Sequence, residues 1–212
     1  MRRPTLHELG IQHHTDKAVY HLFTVIYDLW LSKIRDEQIR LLEIGVLLGG
    51  SLRMWEEYFP NADIHGADID DRREHATSRI SIHQTDQTKL DQLQLLPKDC
   101  HVIIDDGGHT MLQQQLTLTT LFDSHLLPGG TYILEDLHTS EVEYYPKYRA
   151  HGSNPNNNTV KLLEDLQRGT LSENNEYYIS GADFCRLRDQ IASIEIVRVK
   201  ADSTTSRIVK KT

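Results

Sequence analysis

Cysteine is scarce in this chain: Cys100 and Cys185 are the only two. They form no close metal-ligand motif and are too few for a disulfide scaffold, so both are expected to pack as small apolar side chains in a reducing compartment. There is no apolar run long enough to span a bilayer, and the opening stretch MRRPTLHELGIQHHTD lacks the apolar segment of a secretion signal. The expected location is therefore cytoplasmic. Positive charge is in deficit, with 23 Lys and Arg against 31 Asp and Glu and a formal net charge of -8. That balance disfavours attraction to a nucleic-acid backbone or an anionic membrane. No internal repeat occurs at solenoid spacing. What remains is 212 residues, 38% of them hydrophobic, enough for one substantial core, and 1–212 is read as a single domain.

Apolar runs then set the architecture. AVYHLFTVIYDLWLSKIR has Val19, Leu22, Phe23, Ile26, Leu29 and Trp30 near helical spacing and predicts one helix before the first strand. IRLLEIG, DIHGADI, RISIHQTD, CHVIIDDGG and PGGTYILEDL read as five strands, with helices at SLRMWEEYF and MLQQQLTLTTLFDSHL. TVKLLEDLQRG returns to helical spacing, EYYIS and ASIEIVRVK favour late strands, and TTSRIVKK reads as an edge strand or a frayed tail. Strands alternating with helices predict an α/β fold with a mostly parallel sheet, whose chemistry lies beyond the carboxyl ends of the strands. The helical segment 1–38 is expected to contribute to the ligand site. The aromatic, polar, turn-rich segment 141–159 has the composition of a substrate loop and equally of a plain surface excursion.

The strand ends carry the chemistry. Glu43, Gly45 and Gly49 form ExGxxxG, in which the glycines permit a close turn, the acid can position a cationic or hydroxylated ligand, and Ser51 opens the following helix. Asp68 ends the second strand where a carboxylate reaches a ribose diol; a helix cap is its plainer role. Asp86 and Gln87 can border an adenine ring or form an ordinary polar turn. The dinucleotide fingerprint has closer glycines than GVLLGG, so the turn suits S-adenosylmethionine better than NAD. Thr15 and Lys17, in HHTDK, form a second polar cluster in which Lys17 can meet a cofactor carboxylate and Thr15 can cap a helix.

IIDDGGH and YILEDLH repeat one device, acids followed by a histidine. Asp106, Glu135 and Asp136 offer three hard oxygen ligands for Mg²⁺, which would stabilise an alkoxide developing on a hydroxyl nucleophile. His109 is the preferred general base. His138 is the second candidate, with a loop hydrogen bond as its plainer role, and Asp105 can hold the loop through backbone N–H groups.

TDK at Thr15–Lys17, EIGVLLGGSLRMW at Glu43–Trp55, GADI at Gly66–Ile69, DDGGH at Asp105–His109 and EDLHTS at Glu135–Ser140 occur in one order. Over Leu9 to about Ser140 the chain resembles the macrocin and mycinamicin sugar O-methyltransferases, within the class I S-adenosylmethionine-dependent methyltransferases. The resemblance implies a seven-stranded Rossmann-like fold with the last strand antiparallel, and Mg-dependent methyl transfer to a sugar hydroxyl of a glycosylated natural product or glycan, as in antibiotic biosynthesis. It carries over Asp106, Glu135 and Asp136 as metal ligands, His109 as base and Asp68 as the ribose acid. The family commonly has Ser where Gly108 stands, and the extra N-terminal region of the larger macrolide enzymes is not expected. The implied partner is a small-molecule glycoside or glycan acceptor, with homo-oligomer formation left open. Two rivals stand beside this reading: a non-haem Fe(II) hydroxylase built on one His and two carboxylates, and a non-catalytic glycan-binding or assembly protein.

Overall fold

The computed structural model describes residues 2–140 and 156–212. Three helices, α1 (Leu6–Gln12), α2 (Asp16–Val19) and α3 (Phe23–Leu31), precede β1 (Arg40–Ile44). Next come α4 (Gly50–Tyr58), β2 (Asp63–Asp68), β3 (Ile80–Gln84), α5 (Leu90–Leu93), β4 (Cys100–Asp105), α6 (Met111–Ser124) and β5 (Leu126–Leu134). After the undescribed stretch follow α7 (Thr159–Arg168), α8 (Gly181–Gln190), β6 (Ile191–Lys200) and β7 (Ser203–Lys210). The strands form one sheet in the order β3-β2-β1-β4-β5-β7-β6. The first five are parallel, and β7 runs antiparallel to both of its neighbours. This is the Rossmann-like class I methyltransferase sheet. No helix among the described residues is long and apolar enough to cross a membrane.

Both faces of the sheet are buried, so the twofold alternation of a strand sorts side chains between two apolar layers. Leu41, Val102, Ile104 and Ile133 pack with Leu9, Phe23, Tyr27, Trp55 and Tyr58 under the N-terminal helices and α4. Leu42, Ile103, Tyr132, Leu134 and Ile208 pack with Leu118, Phe122, Leu163 and Phe184 from α6, α7 and α8. The same parity governs the residues at the strand ends. Glu43 shares a face with Leu41, Asp106 continues the row of Val102 and Ile104, and Glu135 follows Ile133. Three carboxylates from the adjacent strands β1, β4 and β5 are thus directed toward the N-terminal helices, whereas Asp105 falls on the opposite face.

Several expectations are corrected. The helix predicted from Ala18 to Arg35 breaks at Leu22, whose φ of 60° interrupts the turn. Contacts distant in sequence explain the break: Tyr20 OH donates to Asp202, and the His21 ring lies 2.8 Å from Ser203 Oγ. Residues 203–210 are neither a frayed tail nor an edge, because β7 sits between β5 and β6. The EYYIS segment is not a strand. Its Tyr177 OH donates to buried Asp165 of α7 at 2.7 Å, the Tyr178 N–H donates to Gln115 of α6 at 2.7 Å, and the Glu176 N–H donates to Asn156 O at 3.0 Å, so none of these bonds joins a sheet. Cys100 is buried, and burial raises its thiol to about 12, but Cys185 is exposed rather than packed. Most of the expected substrate loop, 141–155, lies outside the described residues; at its far end Asn158 caps α7 and donates to Ser140 O at 2.6 Å.

The interior position of β7 has a measurable cost when its packing is lost. Ile208 is fully buried and pairs with Tyr132 and Ile194. Ile208→Ala is expected to destabilise the protein by about 2–4 kcal/mol in urea unfolding; a loss below about 0.5 kcal/mol would mean a peripheral strand.

Candidate active site

The chain leaves β1 through a turn that requires glycine. Gly45 has a φ of 93°, and a Cβ there would fall 2.0 Å from the Asp106 carbonyl oxygen. The ends of β1 and β4 therefore meet backbone to backbone. Gly49, with a φ of 70°, enters α4, and a Cβ there would meet the His75 ring at 2.6 Å. Between them the Val46 and Leu47 N–H groups donate to Asp68 Oδ2 at 2.9 and 3.0 Å, and Asp70 N–H donates to Oδ1 at 2.9 Å. Burial opposes the Asp68 charge, but these three donors and Arg72 outweigh it and hold the carboxyl below its ordinary value. Asp68 thus pins the glycine turn while its remaining lone pairs stay available to a ligand.

At the next layer the Lys17 amine, 1% exposed, is enclosed by carboxylates. It donates to Asp106 Oδ2 and lies 3.1 Å from Glu135 Oε1 and 3.2 Å from Glu43 Oε1. Burial alone would discharge it; Asp106, Glu135 and Glu43 together hold its pKa well above the usual lysine range. Burial pushes Glu43 and Glu135 up, the latter further because of Asp106. Glu43 also accepts from Ser51 Oγ at 2.8 Å. Lys17 therefore meets three protein carboxylates, in place of the cofactor carboxylate expected from the sequence.

Asp136 adopts a φ of 54° immediately after Glu135. The reversal of direction brings its Oδ2 to 3.3 Å from His109 Nε2, with His21 Nδ1 3.7 Å and His138 Nδ1 3.8 Å from Oδ1. Donor atoms of Asp106, His109 and Asp136 all lie within 4.8 Å of one another. Asp136 Oδ1 is buried and accepts no hydrogen bond among the described residues. An acceptor without a donor, inside a compact group of anionic oxygens, fits a divalent ion. Glu135 belongs to the Lys17 layer in this arrangement, and His109 takes its place in the compact group. Burial and the neighbouring rings of His21 and His109 lower His138 to about 4, which leaves it neutral.

One cavity of about 760 Å³ joins these parts. Thr15, Gly45, Ser51, Asp68, Asp86, Gln87, Asp106 and His109 all line it. Glu43, Lys17 and Asp105 stand behind its wall. Asp105, raised by burial to about 7, receives Gln87 Nε2 at 2.8 Å and Tyr132 OH at 2.9 Å. Gln87 Oε1 accepts the Gly108 N–H at 2.8 Å, so the amide braces the β4 loop. Asp86 Oδ1 accepts from Thr88 N–H and Oγ, a local turn at the rim. Sequence reasoning missed the apolar lip of Leu47, Leu48 and Ile69, which are at least 63% exposed, and missed Arg72 and His13 in the lining. An exposed apolar residue directly after the Asp68 acid was the available signal.

Asp68 couples the turn to acidity. Asp68→Ala is expected to cost about 1–2 kcal/mol in urea unfolding at pH 7, because three backbone N–H groups lose the charged acceptor they share. The difference from wild type should persist above about pH 4 and shrink as pH falls through the lowered folded pKa, since protonation then removes from the wild type what the variant already lacks. A difference independent of pH down to about 2 would show that the charge of Asp68 does not hold the turn.

No family model matches the chain. Among curated proteins it is 36% identical over 158 residues to mycinamicin VI 2''-O-methyltransferase of Micromonospora griseorubida, covering 69% of this chain and 39% of that protein. It is 34% identical over 216 residues to L-olivosyl-oleandolide 3-O-methyltransferase of Streptomyces antibioticus, covering 96% of this chain and 53% of the relative. Among solved structures it superimposes on the MycE methyltransferase of mycinamycin biosynthesis, in complex with Mg, SAH and mycinamycin VI, with a TM-score of 0.77 and 28% identity over 99% of this chain and 55% of that one. The chain spans about half the length of the curated relatives it matches. Sequence and fold together match this chain closely to the macrocin- and mycinamicin-type sugar O-methyltransferases.

Proposed function

We propose that the protein transfers the methyl group of S-adenosylmethionine to a hydroxyl of a sugar carried on a natural product, at a Mg²⁺-dependent centre. The observation that carries this reading is the single cavity lined both by Asp68 and the glycine turn and by Asp106 and His109. A nucleoside held at one end brings its sulfonium group toward the acids and the histidine at the other. The relatives' sugars, a rhamnosyl and an olivosyl group among them, and the mycinamycin complex of MycE support a deoxysugar glycoside as acceptor.

In this reading Asp68 receives the ribose hydroxyls, and the exposed Leu47, Leu48 and Ile69 cover the base and exclude water. Asp106 and Asp136, with Glu135 behind them, would hold the ion, which when bound favours ionisation of the acceptor hydroxyl and offsets the oxygen's developing charge. His109, beside these acids, is assigned to take the hydroxyl proton and not to ligate the ion. The oxygen forms its bond to the methyl carbon as the carbon–sulfur bond breaks, and the electron pair of that bond returns to sulfur. His109 is preferred over His138 because it lines the cavity, whereas His138 is 6% exposed and outside the lining. His138 and His21 are assigned to orienting Asp136.

The grouping of Asp106, His109 and Asp136 is the one observation that favours the Fe(II) hydroxylase alternative, since one imidazole and two carboxylates also suit that ion. The nucleoside-sized cavity around Asp68, which such chemistry does not need, weighs against it.

Calorimetric titration with S-adenosylmethionine and S-adenosylhomocysteine, with and without Mg²⁺, tests the reading before an acceptor is known. Saturable binding is expected, and His109→Ala should keep it within about threefold while lowering turnover of a rhamnoside or related glycoside about 10²–10⁴-fold. Folded protein that binds neither nucleoside under either condition, or that consumes oxygen with Fe(II), would reject it.

A further inference from the structure

Lys17 has no place in the reaction above, yet it is a cation as enclosed as the acids around it. Its nitrogen donates to Asp106 and lies within 3.2 Å of an oxygen of both Glu135 and Glu43, and with 1% exposure no solvent replaces any of them. It cannot easily withdraw. The Thr15 N–H bonds to Gly10 O at 3.1 Å at the start of α2, and beyond its end Tyr20 and His21 are anchored on Asp202 and Ser203. An ion held by Asp106 and Asp136 therefore meets a carboxylate whose Oδ2 already carries an ammonium group.

We propose that Lys17 is the resident counter-cation of the metal centre: it shares Asp106 and Glu135 with the divalent ion, keeping the site assembled without metal and lowering its affinity for metal. This inference rests on the metal reading above. Two cations on one carboxylate repel across a few ångströms, and in a water-poor site that repulsion is weakly screened. The ion is then an exchangeable ligand and not a permanent part of the fold. Glu43 extends the arrangement to the cofactor side, because it neutralises part of the Lys17 charge while holding Ser51 at the start of α4. The residue acts by positioning and charge, without touching the reacting atoms.

The test is titration of wild type, Lys17→Met and Lys17→Arg with Mg²⁺ alone at pH 8, by calorimetry and by thermal unfolding with and without the ion. Lys17→Met is expected to bind Mg²⁺ about tenfold more tightly, to melt lower than wild type without metal, and to gain a larger melting shift from Mg²⁺. Lys17→Arg should stay within about threefold of wild type. A purely structural lysine would weaken metal binding when lost, so equal or weaker binding by Lys17→Met overturns the inference. Should that variant fail to fold, Glu43→Gln reads the same coupling: it turns the Lys17 charge onto the other two acids and is expected to weaken Mg²⁺ binding about threefold or more. Unchanged affinity there also overturns the inference. No Mg²⁺ binding by folded wild type rejects the metal reading itself, and the shared-ion inference with it.

Discussion

Carboxylates that leave neighbouring strands on the same face of a sheet repel one another, and burial makes the repulsion worse. Glu43, Asp106 and Glu135 are in that position, and what lets the fold close over them is the single ammonium group of Lys17. Breaking a buried pair of this kind by removing one partner costs about 3–5 kcal/mol, since the other charge stays behind. The short α2 helix is held against the strand ends by that contact. Through it the cofactor turn, the β4 loop and the β5 loop share one electrostatic centre.

A second brace lies on the opposite face. Asp105 takes hydrogen bonds from Tyr132 and Gln87, and Gln87 in turn accepts the Gly108 N–H. Consecutive acids thus do different work: Asp105 fixes the loop from the α6 side, while Asp106 faces the cavity and Lys17. The adjacency looks redundant in sequence, but the alternation of the strand separates the two side chains completely.

The strand ends were legible because their chemistry and their position follow from local pattern. Five apolar runs ending in acids predicted the parallel strands, and parity alone sorts Glu43, Asp106 and Glu135 to one face. What was not legible depends on contacts far apart in sequence. Lys17 and Asp106 are 89 residues apart, and no spacing rule joins them. The apolar period runs unbroken through Leu22, so the helix break there follows only from Tyr20 and His21 reaching residues 182 positions away. The polar run Ser203–Ser206 reads as an edge for a similar reason. Two of its hydroxyls find partners inside the fold, Thr205 with Tyr27 OH at 2.8 Å and the Leu134 carbonyl at 3.2 Å, and Ser203 with the His21 ring, so polarity no longer signals exposure.

The placement of β7 also orders events in time. Synthesis delivers β1 to β5 first, in a layout that can pair as it emerges, and leaves β5 with an open edge until the β6–β7 hairpin follows. The hairpin is local and pairs quickly with itself. Its docking onto β5 then supplies Asp202, Ser203 and Thr205, the residues on which Tyr20, His21 and Tyr27 are anchored. The N-terminal segment that carries Lys17 is made before every strand of the sheet, yet the anchors of its Tyr20, His21 and Tyr27 come only with the hairpin, so its seat beside the strand ends is completed late.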